Sequence, residues 1–108
     1  MLVNLTNDVI YLEDGTYTGT IQNVFEFYKG DNQCIGIEFA LKDDKNTVFT
    51  KFYDEPAQKL GEYPWNTVFR AINSNDTADL IGHDVEFTVK NNTKNGVTYS
   101  NIKKIKLI

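Results

Sequence analysis

The chain has 108 residues, 41% hydrophobic and 24% charged. That is one domain's worth of core, which excludes a disordered chain and a second independent core. Its 11 Lys+Arg stand against 15 Asp+Glu, a net charge of −4, which argues against a generic basic coat for nucleic acid but leaves room for a local basic groove. One cysteine, Cys34, and one histidine, His83, exclude an intrachain disulfide, a cysteine-built zinc site and a multi-histidine metal cage.

The start, Met1 to Asp8, has no basic region and no apolar run of signal-peptide length. No stretch approaches the ~18 apolar residues of a membrane span, so a cytoplasmic protein without a membrane partner is expected. The Asn4-Leu5-Thr6 and Asn75-Asp76-Thr77 triplets fit a glycosylation sequon only by chance in such a chain.

The first strand is expected from Gly15 to Tyr28. Tyr17, Gly19 and Ile21 alternate with Thr16, Thr18, Thr20 and Gln22, the period of a half-buried strand. Alternation slips at Asn23-Val24, where Val24, Phe25 and Phe27 are all apolar; a bulge or bend is expected there, and Gly19 adds coiling. Lys29-Gly30-Asp31-Asn32 is turn chemistry. The second strand sets Ile35, Ile37, Phe39 and Leu41 against Gly36, Glu38, Ala40 and Lys42. Asp43-Asp44-Lys45-Asn46 turns into a third strand, Thr47–Tyr53, completing a meander.

The period then changes. Pro56 and Pro64 stand where proline opens a helical turn. Trp65, Val68, Phe69 and Ile72 lie at i, i+3, i+4 and i+7, one stripe of an amphipathic helix, with Trp65 assigned to the core. Asn73-Ser74-Asn75-Asp76 stops it, and residues 77–82 turn back. The fourth strand is Asp84–Lys90, with Val85, Phe87 and Val89 inward. Residues 91–96 read as a hairpin loop closed by Asn95-Gly96, and the fifth strand runs from Val97 to Ile102 or beyond. Three strands, a helix and two strands is the order of a small five-stranded OB-like barrel, a mainly β single domain over residues 1–108. A half-open α+β roll and a β-sandwich share that composition.

Catalytic constellations are missing. His83 beside Ser74 or Ser100, or paired with Cys34, makes no convincing nucleophile site. The pairs Asp43-Asp44 and Asp76/Asp79 are turn chemistry without a cation-loop pattern. With no phosphate-cradling glycine loop, neither enzyme activity nor a cofactor or metal is expected.

Charge is uneven along the chain. Residues 1–84 carry 6 basic and 14 acidic groups; residues 85–108 carry 5 basic and 1 acidic. The last two strands therefore form a basic ribbon through Lys90, Lys94, Lys103, Lys104 and Lys106, either a phosphate track or an edge protected by lysines. In the third strand Phe49, Lys51 and Tyr53 share one face. If Val48 and Phe52 are inside, those three form an exposed row on which bases stack and a lysine meets phosphate, extended by Tyr28 and Lys29 and by Tyr99.

Three segments in order, Leu12-Glu13-Asp14-Gly15-Thr16-Tyr17-Thr18-Gly19-Thr20-Ile21, Asp79-Leu80-Ile81-Gly82-His83-Asp84-Val85 behind the helix, and Asn95-Gly96-Val97-Thr98-Tyr99-Ser100-Asn101-Ile102, span nearly the whole chain. In these the chain resembles small phage-encoded, OB-like proteins of replication and recombination modules. The resemblance implies single-stranded DNA binding without strong sequence preference, in the host cytoplasm, beside replication proteins. The competing reading is a phage anti-defence protein whose acids (Asp8, Glu13, Asp14, Asp43, Asp44, Asp54, Glu55 and Glu62) mimic phosphates on a host effector. The lysine-rich last strand is either free or pairs with a second subunit, which makes a homodimer one expected state.

Overall fold

The computed structural model describes residues 7–44 and 46–108. The Asn4 triplet and Lys45 of the second turn lie outside them. Among these residues the protein is mainly β: one six-stranded sheet, curled into a half-barrel, with a single α-helix. The strands are β1 (Asn7–Val9), β2 (Gly15–Lys29), β3 (Asn32–Leu41), β4 (Thr47–Tyr53), β5 (Asp84–Lys94) and β6 (Val97–Leu107), and the helix is α1 (Asn66–Ile72). Their order in the sheet is β1-β4-β3-β2-β5-β6. From β2 onward this is the expected five-strand order with the helix between the third and fourth. The sixth strand, β1, is an addition, too short at three residues to give a periodic signal; it pairs in parallel with Thr47–Phe49 of β4.

The long strand β2 works because it serves two neighbours. Residues 15–20 pair with β5 and residues 19–29 with β3, and the register shifts between Ile21 and Asn23, where alternation slips in the sequence. Gly19 sits at this overlap, where a Cβ would stand 3.0 Å from the Ala40 carbonyl oxygen. The coil of β2 thus depends on a residue without a side chain.

The core stripe of β3 sets the register of β4. Ile35, Ile37 and Phe39 stand opposite Tyr53, Lys51 and Phe49, and opposed residues share a face. Phe49 therefore points inward, fully buried and stacked between Phe39 and Phe87 at centroid distances of 6.0 and 5.9 Å. This corrects the expected exposed row: Val48 and Phe52 face the other side.

The helix stripe is as expected, with Val68 and Phe69 buried and Trp65 1% exposed. The helix begins at Asn66, two residues after Pro64, and ends where Asn73 turns left-handed (φ 54°) and donates back to the Arg70 and Phe69 carbonyls. Thr67 Oγ1 donates to the Ile105 carbonyl at 2.8 Å and ties α1 to β6. The expected loop over residues 91–96 is much shorter: pairing continues to Lys94↔Val97, and only Asn95-Gly96, both at positive φ (53° and 77°), make the turn. That is the tight hairpin connection favoured for Asn-Gly.

One polar cluster fastens the leading segment across the barrel mouth. Ser100 Oγ accepts from the Leu12 N–H (3.0 Å) and donates to Asn91 Oδ1 (2.5 Å). Asn91 Nδ2 donates to the Leu12 carbonyl and to Asp14 Oδ1, each at 2.8 Å. Buried Ser100 is thereby satisfied, as a buried hydroxyl must be.

Candidate nucleic-acid interface

Two features meet at the open side of the barrel. The first is a ring platform on the outer face of β2, β3 and β4. Phe25 and Phe27 stand opposite Gly36 and Cys34, and Gly36 stands opposite Phe52. The small floor lets three rings settle edge to face: Phe27–Phe52 at 5.5 Å and Phe25–Phe52 at 6.1 Å. A Cβ on Gly36 would lie 2.3 Å from Phe25 Cζ, so the ring lies directly across the glycine. Phe52 is 45% exposed.

The second feature is a groove of about 540 Å³ between the end of β4 and the start of β6. Beyond Phe49, β4 has lost its β1 partner, and its Thr50–Asp54 stretch faces Val97–Ile102 of β6, with Ile10, Phe27 and Lys29 completing the wall. Phe27 and Phe52 belong to both features, so platform and groove are one surface. Ile10, Val97 and Tyr99 add exposed apolar area around it.

The cations in the groove differ in kind. Lys29 is exposed and pairs with Asp54 at 3.3 Å. Lys51 is half-buried, with Nζ 3.3 Å from Asn101 Oδ1 and 5.3 Å from the centre of the Tyr53 ring. Burial lowers its pKa, and nearby Asp54 opposes that shift. Among the described residues it has no carboxylate within ion-pair distance, so its ammonium is held by a neutral amide and a ring face. Tyr53 is itself pinned from below: Trp65 Nε1 donates to its hydroxyl oxygen at 2.8 Å. Burial raises the phenol's pKa, partly offset by that bond, so it stays neutral.

Of the residues expected from sequence, Lys29, Lys51, Tyr53 and Tyr99 come together as groove walls. Lys90 and Lys94 stand opposite Asn101 and Val97 in the hairpin register and share their face. Phe49 does not belong, being core. Tyr28 is exposed beside Lys29 but alternates away from Phe27. Lys103 falls at the exposed register shift of β5–β6, and Lys104 stands further along, opposite Thr88. Phe25, Phe27 and Phe52 are not among the residues expected from sequence, because alternation slips in β2 and β4 carries apolar residues on both faces, so the period alone does not say which face is in. The available signal was Gly36, a side-chain-free position in the strand next to two phenylalanines.

Several acids of the competing reading already have structural partners: Asp14 accepts from Asn91, Asp44 Oδ2 from Thr47 at 2.5 Å, and Asp54 pairs with Lys29. Cys34 is buried under Phe27, with Sγ 3.6 Å from the Asn32 carbonyl. His83 is half-buried, its carbonyl accepting from Ile21 N–H. Among the described residues no three His, Cys, Asp or Glu side chains gather to hold a metal ion, and no helix is long and apolar enough to cross a membrane. No family model matches the chain, and no curated protein matches it.

Proposed function

We propose that this protein binds single-stranded DNA, with little sequence preference, across the joined platform and groove. The observation that carries the reading is Lys51, a half-buried ammonium without a carboxylate partner among the described residues, set beside exposed aromatic rings on the open side of an OB-like barrel. Faces of this kind on OB barrels suit oligonucleotides. Flat rings accept any base, and cations beside them meet the backbone. Phe52 and Tyr99 are the stacking rings, Lys51 and Lys29 the inner phosphate contacts, and Lys90 and Lys94 the outer ones. A role in replication or recombination belongs to the same proposal and rests on the resemblance carried by the three quoted segments.

The test is a fluorescence-anisotropy titration with a labelled strand of about 16 nucleotides, within the span one such domain covers, at low and physiological salt. Binding that weakens steeply with salt is expected. Phe52→Ala is expected to cost about 1–3 kcal/mol of binding, read on protein whose thermal unfolding shows that it is still folded. Absence of binding at low salt overturns the reading and turns attention to a protein partner for the acidic surface.

A further inference from the structure

We infer that the bound strand does not stop at the groove but runs along the outer face of the β5–β6 hairpin to a second station at Tyr63, and this rests on the single-strand reading above. The hairpin register pairs Lys94 with Val97, Asn92 with Tyr99, Lys90 with Asn101, Thr88 with Lys104 and Glu86 with Lys106. Opposed residues share a face, so these pairs form one continuous outward surface. It carries Lys90, Lys94, Lys104 and Lys106 against one acid, Glu86, which is held by Lys106 at 3.5 Å. One end of that track is the groove wall at Val97, Tyr99 and Asn101.

The other end is a separate hollow of about 310 Å³, walled by Tyr63, Pro64, Thr67, Glu86, Lys104 and Lys106, among others. Tyr63 is 68% exposed. A ring left this open, sharing its hollow with two lysines, repeats the chemistry of the groove: a face for a base and ammonium groups for phosphate. Thr67, hydrogen-bonded to the Ile105 carbonyl, holds the Tyr63–Pro64 approach to α1 against β6. The stretch of β6 from Val97 to Lys106 measures roughly 30 Å at ~3.4 Å per residue. Several nucleotides fit between the two stations.

The experiment compares oligothymidine of about 4 and about 16 nucleotides, the two ends of the range one OB domain covers, on the intact protein and on Tyr63→Ala and Lys104→Ala. Both variants change exposed side chains. The short strand fits the groove alone and is expected to bind wild type and variants equally. The long strand is expected to lose about tenfold on Tyr63→Ala. On Lys104→Ala its salt slope is expected to fall by about 0.7. Unchanged long-strand affinity in both variants, with the short strand still bound, overturns the second station and leaves the groove standing. Equal losses on both lengths also overturn it. Wild-type protein that binds neither length overturns the groove reading and this inference together.

Discussion

Replacing Gly36 by alanine adds one methyl group at a point where the structure has none to spare. The new carbon would lie 2.3, 2.6 and 2.9 Å from Cζ, Cε2 and Cε1 of Phe25, so the ring must swing off its floor. The backbone offers no obstacle, since Gly36 is not among the positive-φ residues. Leaving its place costs Phe25 its packing against Phe27 and Phe52, at 6.0 and 6.1 Å. At about 0.5–1.5 kcal/mol per aromatic pair, that is about 1–3 kcal/mol. Restricting the unfolded chain returns about 0.4–1 kcal/mol. Gly36→Ala is therefore expected to destabilise by about 1–2 kcal/mol. In a Phe25→Ala background the clash is gone, and the same substitution is expected to be neutral or slightly stabilising. Urea denaturation of the four proteins gives the coupling directly. The same destabilisation in both backgrounds would refute the claim that the glycine exists to seat the ring. The single variant is also expected to bind single strands more weakly, because the displaced ring disturbs Phe52.

Trp65→Ala is expected to cost about 3–5 kcal/mol, and Trp65→Phe about 1–3 kcal/mol through loss of the donor to Tyr53; a native melting temperature in the alanine variant would contradict the packing of α1. The Lys42–Asp84 pair gives a pH signature. Hydrogen bonds from Lys42 (2.8 Å) and Thr20 (2.6 Å) lower the pKa of Asp84 from 3.8. A depressed carboxyl stabilises the fold above its unfolded pKa and loses that contribution as pH falls through the folded value. Lys42→Met is thus expected to be less stable than wild type at neutral pH, with the gap closing well below pH 3.8; denaturation curves whose gap is unchanged in acid would remove Asp84 from the explanation.

Which residues form the proposed single-strand surface depends on the register of β4 against β3. The β4 strand shows why. Thr47-Val48-Phe49-Thr50-Lys51-Phe52-Tyr53 declares itself a strand by composition, and its two faces are each plausible as core. Lys51 at the centre of one face invites an outward reading. Pairing with Ile35, Ile37 and Phe39 turns that face inward instead, buries Phe49, and leaves Lys51 and Tyr53 at the rim where β4 keeps β3 but has lost β1 as a partner. The hairpin lysines were legible as a charge block, but whether they line one face or scatter depended on how Asn95-Gly96 closed.

Local chemistry decided the element order: the alternation and slip in β2, the helical stripe from Trp65 to Ile72 and the Asn-Gly turn were all readable along the chain, since each depends on residues near one another. Strand register, the added β1, the Phe25–Phe27–Phe52 platform on Gly36 and the opening between β4 and β6 depend on residues tens of positions apart. Period-two patterning says that a strand has two faces; only the pairing of whole strands says which face meets the core.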